Sequence, residues 1–369
     1  MRIGIDLTAC WRARVGMVTV SLELARAIIA QAPGEVVVLA SRERPEGIGE
    51  AETILTTHRH EVVVKAAWMA AVESDAGLDA ILYPYWPSPP FRRRGAPPAT
   101  IFVHDLAFQV RAGEVPWQQR VYLGRVLPRA LAGAAAVITP SETTRRDLLS
   151  LFSPPGLADR VEVVPEGPTS LPAAGDLPAG LEPGFLLAVG TVEPRKNYPR
   201  LVEAYRILKA DGPAPALVVA GRPGWAYGDA LRLLREEPGV ALLGHVDDAT
   251  LAALLRDAVA LAFPSLYEGF GLPLLDAMAA GLPAVIGDAG SLPELAAGAA
   301  VLVDARDPAA IAAGLRRLLQ EPALRRQLSE RGRLRARDFS WDRAAATVLE
   351  VVRRTAGGRA TAASRMRPL

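Results

Sequence analysis

The stretch Ser265-Leu266-Tyr267-Glu268-Gly269-Phe270-Gly271-Leu272-Pro273-Leu274-Leu275-Asp276 constrains this chain more than any other. Before it, Val259 to Phe263 is a short apolar run closed by a proline, the pattern of a strand buried on both faces. After it, Leu275, Met278 and Ala279 recur at helical spacing until Gly281-Leu282-Pro283 ends the turn. Pro273 suits a first helical turn, where a missing N–H costs nothing. A strand, a glycine turn and a helix N-terminus in succession leave unpaired N–H groups aimed at an anion. The glycines let a ligand approach the backbone closely. Glu268 and Asp276 add carboxylates beside the same turn. A carboxylate repels phosphate but accepts hydrogen bonds from sugar hydroxyls. The segment thus suits a ligand that is anionic in its middle and rich in hydroxyls at its ends, a description that a nucleotide sugar fits.

The 369 residues are too many for one ordinary core and predict two domains of about 150–200 residues. With 50% hydrophobic residues, a sizeable core forms and global disorder is excluded. A net charge of +2 argues against a dedicated nucleic-acid binder. The one cysteine, Cys10, rules out a disulfide framework and fits a reducing cytosol. Asp6 arrives too early for a signal peptide, and no run of about 18 apolar residues appears, so a soluble chain is expected. The basic residues are nearly all arginine, with lysine only at positions 65, 196 and 209.

Read in order, the first half alternates short apolar strands (2–7, 35–40, 61–65, 80–83, 100–103, 135–139 and 160–165) with helical stripes. The stripes are Val20, Leu24, Ala27 and Ile28, a segment around 68–74, a long one between Pro116 and Ala132, and one started by Ser141. Residues 41–52 read as a polar loop. Residues 84–98, proline-rich and carrying Arg92-Arg93-Arg94, read as a surface loop. Residues 167–184 are rich in Pro, Gly and small residues and read as a linker. The alternation then restarts, with strands at 185–190, 216–221, 240–244, 259–263, 284–286 and 300–303 and helices at 251–258, 272–280 and 311–319. A late helix carries Trp341, Ala345, Val348 and Val352, and the tail from Thr355 is expected to fray. This is a doubly wound parallel α/β pattern, repeated.

Two such halves with Glu268-Gly269-Phe270-Gly271-Leu272-Pro273-x-x-Asp276 resemble the retaining glycosyltransferases of family 4, which have the GT-B fold. Val189-Gly190-Thr191-Val192-Glu193-Pro194-Arg195-Lys196-Asn197, Leu243-Gly244-His245-Val246, Phe263-Pro264-Ser265, Ser291-Leu292-Pro293-Glu294 and Phe339-Ser340-Trp341 agree with the family in order. The resemblance implies two Rossmann-like domains facing a cleft, over 1–170 and 184–340, with the last helix (341–356) docking back onto the first. It implies that Arg195 and Lys196 grip a diphosphate and that Glu268 binds donor-sugar hydroxyls. It also places the amides of Phe270 and Gly271 and the turn at Gly269 against sugar and phosphate. Gly190 belongs to the diphosphate loop, and His245 and Val246 line the nucleotide. Gly16 lies near the phosphates and His104 near the transferred sugar. Asp276 stands where many relatives carry the glutamate that holds ribose, and the first loop has Val15-Gly16-Met17 instead of a double glycine.

Each residue also has a plainer reading. Arg195-Lys196 alone is a solvated turn, and Glu268 and Asp276 alone are first-turn carboxylates. Asp247-Asp248 reads as a helix cap. Asp105 could orient His104 or accept a proton. His58 and His60 lack a third metal ligand. Arg12, Arg14 and Arg92–Arg94 read either as solvated surface or as anchors for an anionic lipid or a lipid-linked acceptor. No GxxxxGK[ST] or complete GxGxxG occurs, against kinase and dehydrogenase readings. No Asp-x-Asp occurs, and two cations could neutralise a leaving diphosphate, so neither a metal nor another cofactor is expected. The expectation is transfer of a hexose, with mannose favoured weakly, from a GDP-, UDP- or dTDP-sugar to a sugar or lipid-linked acceptor in polysaccharide or glycolipid assembly. Peripheral contact with the inner membrane face is compatible with it. A nucleotide-sugar epimerase and a non-catalytic nucleotide-binding partner remain as alternatives.

Overall fold

The computed structural model describes residues 1–10, 16–41, 43–56, 69, 71–72, 76–85, 89, 92–93, 95–225 and 228–365, with side chains to 357. The strand expected at 61–65 lies outside the described residues, as do Arg12, Arg14, His58, His60, Lys65, Arg94 and most of the helix expected around 68–74. The chain divides into two compact units, one of residues 1–106, 120–167 and 340–369 and one of residues 107–119 and 168–339. The grouping of 107–119 with the second unit has no signature in the sequence.

The first unit is built on β1 (Ile3–Asp6), α1 (Met17–Gln31), β2 (Val36–Ser41), β3 (Glu52–Thr56), β4 (Ala80–Tyr83), β5 (Ala99–Phe102), α2 (Trp117–Gly133), β6 (Ala136–Thr139), α3 (Glu142–Leu151) and β7 (Val161–Val163). Among the described residues its sheet has seven strands in the order β3-β2-β1-β4-β5-β6-β7, all parallel. Every residue of β1, β2, β4, β5 and β6 is buried. Such strands are stable only with helices on both faces of the sheet. Ser141 caps α3 by accepting a hydrogen bond from the Thr144 amide, as the sequence predicts. β3 was not expected; it begins at Glu52, where the expected loop ends. Its polar flanks and partial exposure belong to an edge strand.

The second unit follows with β8 (Leu186–Val189), α4 (Tyr198–Ala210), β9 (Leu217–Ala220), α5 (Gly228–Glu236), β10 (Val240–Gly244), α6 (Asp248–Asp257), β11 (Ala260–Phe263), α7 (Leu272–Ala280), β12 (Ala284–Gly287), α8 (Leu292–Ala296), β13 (Val301–Val303), α9 (Pro308–Gln320) and α10 (Pro322–Ala336). Its parallel sheet runs β10-β9-β8-β11-β12-β13. Alternate strand residues go to opposite faces. Leu187, Val218, Leu261 and Phe263 pack with Leu274, Leu275 and Met278 of α7. Leu186, Ala188, Leu217 and Val219 pack with Leu201 and Tyr205 of α4 and with Ile311 and Leu315 of α9. Asp247 caps α6 through the Thr250 amide at 2.7 Å, the role its position implies.

The last helix, α11 (Trp341–Arg365), belongs to the first unit and packs on α1. Gln31 Nε2 donates to the Asp342 carbonyl at 2.8 Å, and Arg353 pairs with Glu35 at 3.0 Å. The tail expected to fray from Thr355 instead continues as helix to Arg365. Its alanine content and lack of proline favour that state.

Two loops of the second unit are tied by Asn197, which is 1% exposed and adopts the left-handed conformation at φ 65°. Its Nδ2 donates to Pro264 O at 3.0 Å and Ala305 O at 2.6 Å. Asn197→Ala strands two buried carbonyls and retains an unfavourable φ, so urea unfolding should show a loss of about 2–4 kcal/mol. Asn197→Gly should recover only the backbone part.

Candidate functional site

The sheet order of the second unit reverses between β8 and β11, and ligands of doubly wound sheets bind beyond the strand ends at such a reversal. The loop after β8 carries Gly190 and a 3₁₀ turn, Pro194–Lys196, before α4. The loop after β11 carries residues 264–271 before α7. The sheet therefore brings Arg195 and Lys196 to Glu268, more than 70 residues away along the chain.

Glu268 is buried and binds both cations. Its Oε1 accepts from Lys196 Nζ at 2.6 Å and its Oε2 from Arg195 Nη1 at 2.5 Å. Arg195 Nε lies 2.5 Å from Glu193 Oε1, a carboxylate buried like Glu268. Lys196 Nζ also sits 4.7 Å above the Phe263 ring, a cation–π contact in a desolvated place. Leu266 N donates to Arg195 O at 2.8 Å, which joins the two loops through the backbone as well.

Burial works against the charge on Glu268, but the Arg195 and Lys196 charges and the Lys196 hydrogen bond overcome it and hold the carboxyl at about 2. Burial pulls the Lys196 ammonium down, offset in part by Glu268 and reinforced by Arg195, so it lies below the usual lysine value. Tyr198, whose hydroxyl donates to Gly190 O at 2.7 Å, is pushed upward by burial and then by Glu193 and Glu268.

The carboxylate loop is held from behind. Ser291 N and Oγ each donate to Glu268 O at 3.1 Å, and Oγ also reaches Phe270 O at 2.7 Å. Gly290 takes φ 63°, and a Cβ there would stand 2.6 Å from Glu268 O, so no other residue fits. Gly271 opens α7 at φ 110°. Phe270 meets Phe339 edge to face at 5.8 Å, and Arg335 lies 4.6 Å over the Phe339 ring. Gly269 is buried within this turn. The amides of Phe270 and Gly271 donate no hydrogen bond among the described residues, which leaves them the donors of the turn.

The remaining expected residues lie in varied surroundings. Asp276, on α7, accepts from Thr169 N at 2.7 Å and Thr169 Oγ1 at 2.8 Å, so both carboxylate oxygens hold the segment after Gly167. His245 is exposed just beyond β10, and Val246 packs against the α7-side core. Gly16 is the N-cap of α1, while residues 11–15 before it lie outside the described residues. His104 is in the first unit and buried, stacked on Phe102 at 4.5 Å. Its Nδ1 is 3.1 Å from Glu166 Oε1 and its Nε2 is 2.7 Å from Pro84 O. A carbonyl only accepts, so Nε2 carries a proton. Sequence reasoning missed Glu166, Thr169, the ion pair of Glu193 and the bracing by Ser291 and Gly290. Only Glu193 and Ser291 stood in motifs that could have flagged them.

Two doubly wound parallel units of this kind define the GT-B class of fold. Sucrose-phosphate synthase from Thermosynechococcus elongatus superposes with a TM-score of 0.78 over 96% of this chain and 98% of that one, at 22% identity. The HepE protein of Anabaena, solved with UDP and glucose, gives 0.68 over 95% and 98%, at 15% identity. In sequence, residues 15–168 match the family described as Glycosyltransferase Family 4, and residues 175–335 match Glycosyl transferases group 1. The O-antigen chain mannosyltransferase B of Escherichia coli is 32% identical over 253 residues, 65% of this chain and 66% of that protein. The chain thus spans just under two thirds of the length of that relative. It belongs to the GT-B glycosyltransferases of the family-4 type.

The depressed Glu268 value has a measurable sign. A carboxyl held at about 2 in the fold, against about 4.3 unfolded, adds stability that is present above pH 4.3 and lost as pH falls towards 2. Urea unfolding of the wild type should lose roughly 3 kcal/mol more than Glu268→Gln across that window. Parallel pH profiles would contradict the assignment.

Proposed function

We propose that this chain is a retaining hexosyltransferase that moves a sugar from a nucleoside-diphosphate donor to an acceptor hydroxyl in the assembly of a surface polysaccharide or glycolipid. One observation carries this reading: an arginine and a lysine, both largely removed from water, share one carboxylate beside a glycine turn at the sheet reversal. Cleaving the bond between sugar and diphosphate releases a leaving group with added negative charge. Two cations and the turn's amides stabilise that charge more than the ground state, and this lowers the barrier.

Glu268 is the counter-ion of both cations. A diphosphate competes for them, and the freed carboxylate is then available to the hydroxyls of the transferred sugar. Retention follows the family pattern of attack from the face the leaving group departs, with the departing phosphate taking the acceptor's proton. The reaction then requires no nucleophile from the protein and no metal. The mannosyltransferase likeness favours mannose as the sugar. The nucleotide of the HepE complex supports a nucleoside-diphosphate donor without choosing the base. Because Asp276 holds Thr169, the ribose contact is assigned to other groups or to a rearranged Asp276.

Arg195→Ala and Lys196→Ala should each lower turnover at least tenfold, equivalent to roughly 1.5–3 kcal/mol of charge-assisted bonding. Initial rates of nucleoside-diphosphate release with acceptor present measure this, and turnover within twofold of wild type would contradict it. An epimerase would consume donor with no acceptor and release a rearranged sugar. A non-catalytic partner would bind the nucleotide and transfer nothing to any acceptor.

A further inference from the structure

Three carboxyl-end loops of the first sheet meet at one imidazole. Pro84 follows β4, His104 stands just beyond β5, and Glu166 lies a little past β7. The order β3-β2-β1-β4-β5-β6-β7 reverses between β1 and β4. The Pro84 loop is therefore at this unit's own reversal, where a doubly wound sheet binds its ligand. His104 Nε2 donates to Pro84 O at 2.7 Å, and Nδ1 lies 3.1 Å from Glu166 Oε1. Both ring nitrogens are taken by these two groups, so Glu166, 62 residues away along the chain, orients the ring in place of the adjacent Asp105.

The geometry fixes where the protons of this pair are. A carbonyl only accepts, so Nε2 carries a proton. A neutral ring protonated at Nε2 presents a lone pair at Nδ1, and an ionised carboxylate presents another. Two acceptors facing each other at 3.1 Å, in side chains only 6% and 4% exposed, repel unless a proton lies between them. The pair therefore holds one proton more than a neutral histidine beside a carboxylate. In that state His104 has no free lone pair for a substrate's proton and no free N–H for a sugar oxygen. Its surroundings keep it so. The ring is stacked on Phe102 at 4.5 Å and an interplanar angle of 16°. Val164 N donates to Thr139 O at 2.8 Å, which ties the segment before Glu166 to the end of β6. On the other side, a Cβ at Gly167 would stand 2.5 Å from Trp341 N, so the backbone bearing Glu166 is seated against the start of α11.

We propose that Glu166 is a positioning residue of the transfer reaction: it shares a proton with His104, and the pair pins the Pro84 loop at the reversal of the first sheet. His104 then serves the reaction through that loop and not through a hydrogen bond from its own ring to the substrate. The service to a reaction rests on the transferase reading above, whereas the proton-sharing pair does not. Glu166→Gln sets an amide N–H opposite Nδ1 and reproduces the hydrogen bond without the shared proton. Glu166→Ala leaves Nδ1 bare and the ring free to turn.

Nitrogen magnetic-resonance spectra of the histidine-labelled full chain test the pair, the His104 signals being those lost in His104→Gln. At neutral pH wild type and Glu166→Gln should show no unprotonated, unbonded ring nitrogen at His104, and Glu166→Ala should show one. Initial rates of nucleoside-diphosphate release with acceptor present test the positioning. Glu166→Ala should lower turnover by about tenfold or more, and Glu166→Gln should restore it to within about threefold of wild type, the cost of a misplaced loop. Calorimetry with GDP and UDP should give both variants the wild-type affinity, because the nucleotide contacts are assigned to the second unit. Thermal unfolding should confirm that the variants fold. Should Glu166→Ala not fold, a loss of about tenfold in Glu166→Gln overturns the proposal by itself. A bare ring nitrogen in wild type would overturn it as well. So would Glu166→Gln as slow as Glu166→Ala, or a nucleotide affinity that falls in step with turnover. A wild type that transfers nothing would remove the transferase reading and with it the positioning role, while the spectra would still decide for or against the pair.

Discussion

One buried carboxylate, Glu268, joins the two loops to which the proposed function assigns the second unit's chemistry. Taking three ionised side chains out of water costs several kcal/mol each and is tolerated only when their bonding is nearly complete. Here both oxygens of Glu268 are engaged, Arg195 also meets Glu193, and Lys196 has an aromatic face beneath it. The cluster Glu193–Arg195–Glu268–Lys196 is neutral as a whole, each charge meeting an opposite one. It is also poised, because any anion with better geometry than a carboxylate can take over the cations. Under the proposed function, stability and catalysis thus draw on the same contacts.

The rest of the second unit keeps that cluster in register. β8 and β11 are neighbours only because the sheet winds outward in both directions from them, and this places two sequence-distant loops side by side at their carboxyl ends. Asn197 ties one loop to the other, and Ser291 and Gly290 fix the backbone of Glu268 from the next crossover. Tyr198 closes the floor under Gly190. None of these groups has to touch a substrate to matter, since a shift of the carboxylate by a fraction of an ångström would undo bonds this short.

Apart from the edge strand β3, the strands of both sheets were legible because buried parallel strands are continuous apolar runs, and those runs stood between turn residues. The partnership of Arg195, Lys196 and Glu268 was legible as a motif and a resemblance, not as geometry. Helices α4, α5 and α10 were not expected, and α10 is arginine-rich with only Leu328, Gly332 and Ala336 buried, which leaves no apolar stripe to read. Asp276 is instructive: its position suggested ribose, and the contacts of its carboxylate with Thr169 have no signature in the local sequence. The bonds of His104 to Glu166 and Pro84 join residues far apart in the chain, and no local pattern announces such pairs. The same holds for the placement of 107–119, where Trp225 Nε1 donates to Glu114 O at 2.9 Å.

The central claim is that the paired cations exist for a diphosphate. Calorimetric titration with a nucleoside diphosphate and the matching monophosphate tests it most directly. It should compare wild type with Arg195→Gln/Lys196→Gln/Glu268→Gln, a variant that removes the two cations together with the carboxylate they share. The account predicts that wild type prefers the diphosphate by at least tenfold and that the preference disappears in the variant. A preference that survives the three substitutions would contradict it.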